Sequence, residues 1–203
     1  MKRMEEGAMP QKQRIRAAVS LGIGVLLIVT VIVGYFPQPQ YIKELTCISN
    51  FGLGILFLVS AIRQLRGKKE WPGLVYGCGV VTILLVFIIC MVSLTGMYRM
   101  NFQGAFLFLH VINPLMVLAY YLVFVDEKSR GRARGVFLMP CAAILYLLAD
   151  YIGGKVGGAF VYGFFEPAEL SFFSAVLVGA VLYLMLLAVG FVVYFINGRL
   201  HKR

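Results

Sequence analysis

Six apolar runs, each approaching or exceeding the ~20 residues that cross about 30 Å of hydrocarbon, restrict this chain to helices in a bilayer. They fall at roughly 17–36, 42–62, 73–95, 102–125, 136–152 and 170–196. Of the 203 residues 61% are hydrophobic and 14% charged, a balance that a water-soluble domain would have to expose. The runs repeat no motif, and the connections are too short for a second domain. The expected fold is all-α: a polytopic membrane protein with a single six-transmembrane-helix domain over 17–196. A basic amino terminus over 1–16 and a basic tail over 197–203 flank it.

The basic residues orient the bundle, because Lys and Arg in short loops are retained on the cytoplasmic side. All but Lys43, Arg99 and Lys155 of the nineteen fall in the amino terminus, the second and fourth connections and the tail. Both termini are therefore expected to be cytoplasmic. The net charge of +10 is divided among four short segments at span ends, where topology and anionic headgroups account for it. Nucleic-acid binding, which gathers basic residues on one face, is not expected. The first span has a longer apolar core than a signal peptide, and Gly34 to Gln40 offers no small-x-small cleavage site, so it is expected to stay attached.

Cys47, Cys78, Cys90 and Cys141 form no C-x-x-C pair and have no His at ligand spacing, so neither a disulfide framework nor a metal site is expected. The costly residue is His110, an ionisable group inside the fourth run, with Pro114 one turn later. At ~1.5 Å per residue the topology puts His110 roughly 10 Å below the outer surface and Asn113 a turn further. Thr46, Ser49 and Asn50 lie in the first turns of the second run, and Asp150 near the outer end of the fifth. Most polar groups are thus expected in the outer half, with the inner half of the same helices almost purely apolar.

Thr46 and Asn50 share a helix face with Ser49 beside them, and His110 and Asn113 share another. Pro114 removes a helical donor and is expected to free the carbonyl of His110. A hydroxyl is a poor nucleophile until a base takes its proton, and imidazole is the usual base. Thr46 or Ser49 facing His110 therefore suits acyl transfer on a lipid ester, with Asn50, Asn113 or a backbone amide donating to an oxyanion and Asp150 orienting the imidazole. The same residues have plainer uses. Thr46 can bond back to the Ile42 carbonyl, the asparagines can join helices, and Asp150 can be solvated. Gly22 and Gly24, Gly52 and Gly54, and Gly77 and Gly79 suit close helix packing. The Gly-rich stretch 153–158 is expected in the outer connection, as part of a lid that turns Tyr162 and Phe164 toward the ligand.

Glu44-Leu-Thr-Cys-Ile-Ser-Asn50 resembles the T-x-x-S-N opening of the second helix in a group of bacterial six-span membrane proteins. His110-Val-Ile-Asn-Pro114 is similar to their H-x-x-x-P, and Gly157-Gly-Ala-Phe-Val-Tyr-Gly-Phe164 to their aromatic loop, with Gly163 where that loop has proline and Leu45 where an aromatic often precedes the threonine. These proteins are related to the androgen-induced membrane hydrolases of animals. The resemblance implies a six-helix intramembrane enzyme that cleaves fatty acid esters of hydroxy fatty acids, with Thr46 as nucleophile and His110 as its histidine; the positions of Ser49, Asn50, Asn113, Asp150, Tyr162 and Phe164 make them the expected supporting residues, and no metal or cofactor is expected. The expected partners are membrane lipids or lipid esters as substrate, with no obligate protein partner. The expected location is the bacterial cytoplasmic membrane. The alternative is a non-enzymatic lipid or small-molecule binder or transporter using the same residues.

Overall fold

The computed structural model describes residues 10–94, 104–126, 133–161 and 171–201, and no strand occurs among them. Six helices are long and apolar enough to cross a membrane. Helix α1 (Gln11–Tyr35) starts before its apolar run, because Gln11 to Arg16 are good helix formers directly after Pro10. Helix α2 (Leu45–Leu65) starts three residues late: Pro39–Tyr41 form a 3-10 turn and Glu44 is extended. Helix α3 (Gly73–Ile89) ends in a π turn (Cys90–Leu94), and α4 (Gly104–Phe124) carries a second one (Phe108–Ile112) in its outer half. Helix α5 (Cys141–Gly157) follows a 3-10 segment (Ala133–Leu138) and Pro140. Helix α6 (Phe172–Leu200) begins at Ser171, whose hydroxyl accepts the Ser174 N–H at 3.1 Å.

Two expectations change here. The glycines of 153–157 are helical, extending α5 one turn beyond its apolar run; Gly158, at φ +74°, stops it in the left-handed region open to glycine. The chain then turns back, and the Val161 N–H donates to Asp150 Oδ1 at 2.8 Å. Tyr162 and Phe164, expected in a lid, lie outside the described residues.

Helices α1 and α2 pack most closely. A Cβ on Gly24 would stand 2.9 Å from the Leu58 backbone nitrogen, and one on Gly54 2.6 Å from Ile28 Cδ1, so both glycines are notches that let the backbones approach. Gly22 and Gly52 face open space and have no such use. Helix α3 is the centre: Val80, Val81, Ile83, Leu84, Leu85 and Val86 are all buried, so it is enclosed on every side. Helix α6 is peripheral, its buried residues Leu186, Gly190, Val193, Asn197 and Gly198 all lying in its second half.

The inner half is not uniformly apolar, contrary to expectation. The Tyr120 hydroxyl on α4 lies 2.8 Å from Ser20 Oγ and accepts from Gln64 Nε2 at 3.3 Å and Arg16 Nε at 3.2 Å, and Arg16 is ion-paired with Glu70. Nearby the Tyr76 hydroxyl donates to Ser60 Oγ at 2.9 Å. These groups bond to one another across α1, α2, α3 and α4, which is how polar side chains are tolerated at that depth, although the buried Oε1 of Gln64 has no partner.

Candidate functional site in the outer half of the bundle

The site begins with the irregularity in α4. Within the π turn the Asn113 N–H reaches the Phe108 carbonyl, five residues back. In that register the ring nitrogen of Pro114, which has no hydrogen, stands opposite the Leu109 carbonyl. Asn50 Nδ2 on α2 supplies the missing donor at 3.3 Å. The carbonyl taken up from another helix is thus Leu109's rather than the expected His110's, because the π turn shifts the pairing by one residue.

His110 is held by two contacts within its own helix. Its Nδ1 is 3.0 Å from the Phe106 carbonyl, and its ring stacks on Phe106 at 4.2 Å between centroids and 27° between planes. A carbonyl only accepts, so Nδ1 carries the proton and, in the neutral ring, Nε2 presents its lone pair. That lone pair faces Thr46 Oγ1 at 3.5 Å, the outer limit of a hydrogen bond. Thr46 is buried in the first turn of α2, and among the described residues its hydroxyl has no partner but this imidazole; the bond back to Ile42 does not form.

The supporting residues divide differently from expectation. Ser49 Oγ donates to the Thr46 carbonyl at 3.4 Å, so of the two hydroxyls only Thr46 meets the imidazole. Asn50 Nδ2 donates to the Thr46 carbonyl at 2.8 Å as well as to Leu109, and Asn50 Oδ1 accepts from Asn113 Nδ2 at 2.7 Å. Asn113 Nδ2 gives its other hydrogen to Thr30 Oγ1 at 2.9 Å. Both side-chain amides are therefore spent, and neither has a hydrogen left for an oxyanion. The unspent donors are the N–H groups of Thr46 and Cys47, in the first turn of α2, which find no acceptor among the described residues. Asp150 accepts from Val161, and the imidazole is oriented by the Phe106 carbonyl, the role expected of Asp150.

Thr30 was missed by sequence reasoning, although one signal was available: it is the sole side chain with a polar atom between Ser20 and Tyr35 of α1. Its hydroxyl donates to the Leu26 and Leu27 carbonyls, leaving its oxygen to accept from Asn113. That chain of donors fixes the amide of Asn113, whose buried Oδ1 has no partner.

Above the dyad the Tyr35 hydroxyl donates to Glu44 Oε2 at 2.7 Å, and the Tyr146 hydroxyl donates to the Lys43 carbonyl at 2.8 Å, tying α1 and α5 to the start of α2. Burial pushes the Glu44 carboxyl above its ordinary value of 4.5, against the lowering effect of Tyr35. The native protein then binds this proton where the unfolded chain has released it, so ionising Glu44 removes stability as pH rises above 4.5. Glu44→Gln keeps an acceptor for Tyr35 without the charge. Its thermal midpoint in detergent is expected to exceed the wild type's at pH 7, the difference closing below pH 4.5.

Fold and site together define a helical integral membrane protein with a part-buried hydroxyl–imidazole pair near one face. No family profile, curated protein or solved structure matches the chain.

Proposed function

We propose that the chain is an intramembrane lipid-ester hydrolase, with fatty acid esters of hydroxy fatty acids as the substrate class and the bacterial cytoplasmic membrane as its location. The observation that carries this reading is the pairing of Thr46 Oγ1 with the lone-pair nitrogen of an imidazole whose other nitrogen is anchored. The chemistry follows from that arrangement. Thr46 Oγ attacks the ester carbonyl while His110 Nε2 takes its proton, and the N–H groups of Thr46 and Cys47 face the developing oxyanion. The intermediate collapses, the alcohol leaves with the proton from Nε2, and an acyl-threonine remains. Water, deprotonated by the same nitrogen, releases the acid and restores Thr46. The 3.5 Å separation suits a resting enzyme, since such contacts tighten when substrate is bound. No metal or cofactor is needed.

A transport role is favoured less. Between the outer site and the inner polar network, α1 contributes Leu27, α2 contributes Leu53 and Phe57, and α4 contributes Val117, all buried in one apolar cluster. That layer interrupts any polar path along these helices.

Purified protein incubated with a panel of lipid esters tests the reading. Wild type is expected to release free acid and His110→Ala to fall by about 10³-fold or more. Turnover that survives His110→Ala, or a wild type inert to every ester, would sink it.

A further inference from the structure

On the opposite side of the bundle from the α1–α2 pair, α3, α4 and α6 leave a groove of about 390 Å³ lined wholly by aliphatic residues. Leu84 of α3, Leu118 and Leu122 of α4, and Ala188, Val192 and Ile196 of α6 form most of it. Its depth is defined by the topology. Leu84 is eleven residues from the cytoplasmic start of α3, ~16 Å, which is the bilayer midplane. From Ala188 to Ile196 the groove runs ~12 Å along α6 toward the cytoplasm. It therefore starts at the midplane and stops at the inner interface, the dimension of one leaflet's acyl chain.

The inner end of the groove carries a matching charge. Arg199 continues the stripe of Val192 and Ile196 one turn on; it is exposed, its guanidinium lies over the Phe195 ring at 4.3 Å, and it has no carboxylate partner among the described residues. The end of α4 beside it would ordinarily repel an anion through its terminal carbonyls. Here two of them are taken up: Asn197 Nδ2 donates to the Tyr121 carbonyl at 3.0 Å and to that of Val125, just past the helix, at 2.7 Å, and His201 Nε2 donates to that of Leu122 at 3.0 Å. The basic side chain of the last turn of α6 is Arg199.

We propose that this groove binds one anionic glycerophospholipid of the cytoplasmic leaflet, an acyl chain lying between α3, α4 and α6 and the phosphate on Arg199. The site is separate from the Thr46–His110 pair and independent of any activity there.

Native mass spectrometry of the detergent-purified chain tests it with phosphatidylglycerol and phosphatidylcholine of identical acyl chains. Wild type is expected to retain one phosphatidylglycerol about fivefold better than phosphatidylcholine, the discrimination that one basic residue near a headgroup supplies. Arg199→Gln is expected to erase that preference, while Arg66→Gln, on an exposed cytoplasmic residue away from the groove, leaves it. Val192→Trp fills the groove and is expected to abolish retention of both lipids; Ala188→Phe does the same from the midplane end if that protein is poorly folded. Equal retention of the two lipids by wild type, or an unchanged preference in Arg199→Gln, overturns the proposal.

Discussion

Thr46→Ala is expected to lose all measurable labelling by a hydroxyl-directed fluorophosphonate, and at least about 10³-fold of any ester turnover, while folding as wild type does. The expectation follows from how little else the hydroxyl does. Its partner is Nε2 of His110 at 3.5 Å, whereas the Thr46 carbonyl that Asn50 and Ser49 hold is main chain and survives the substitution. Removing one long hydrogen bond costs about 1 kcal/mol or less, so loss of labelling would not reflect unfolding. Thr46→Ser keeps the oxygen and is expected to retain labelling, because attack on phosphorus with loss of fluoride needs the hydroxyl and its base. Ser49→Ala is the matched control. Its hydroxyl donates to a carbonyl one turn away, and its removal is expected to leave labelling unchanged. Labelling that moves to Ser49, or that persists in Thr46→Ala, would remove Thr46 from the mechanism.

That a hydroxyl of α2 could meet His110 is legible because each pair of polar residues keeps helical spacing and the charge bias puts both at similar depth; Thr46 rather than Ser49 follows from the family resemblance alone. What lay beyond reach was register between helices. Ser20, Gln64 and Tyr120 converge although far apart in the chain, and nothing in three separate apolar runs tells which faces meet. Span ends moved for a related reason: hydropathy marks where a helix is apolar, while Pro10, Glu44 and Gly158 mark where one starts or stops. An α-helical count places the carbonyl left open by Pro114 at His110, one residue past Leu109, because the sequence does not show the π turn.

That π turn underlies the second large effect. Asn50→Leu, similar in volume, is expected to destabilise the protein by about 2 kcal/mol or more, since each interhelical polar contact in a membrane contributes roughly 0.6 kcal/mol and buried polar groups left unpaired add to the loss. Three partners are affected: the Thr46 carbonyl, the Leu109 carbonyl and Asn113 Nδ2. Of these the Leu109 carbonyl is the most dependent on Asn50, because Pro114 cannot donate to it. Pro114→Ala returns a backbone N–H to α4, so the two substitutions are expected to couple. Asn50→Leu should cost less in the Pro114→Ala background, by on the order of 0.5–1 kcal/mol in a double-mutant cycle. Strict additivity would mean that Asn50 holds α2 to α4 through Asn113 alone, and that the π turn is set by something other than the missing donor. Activity should follow the same coupling. The imidazole of His110 is carried by that turn, one residue from Leu109, so a change in its register moves Nε2 away from Thr46 before the bundle unfolds.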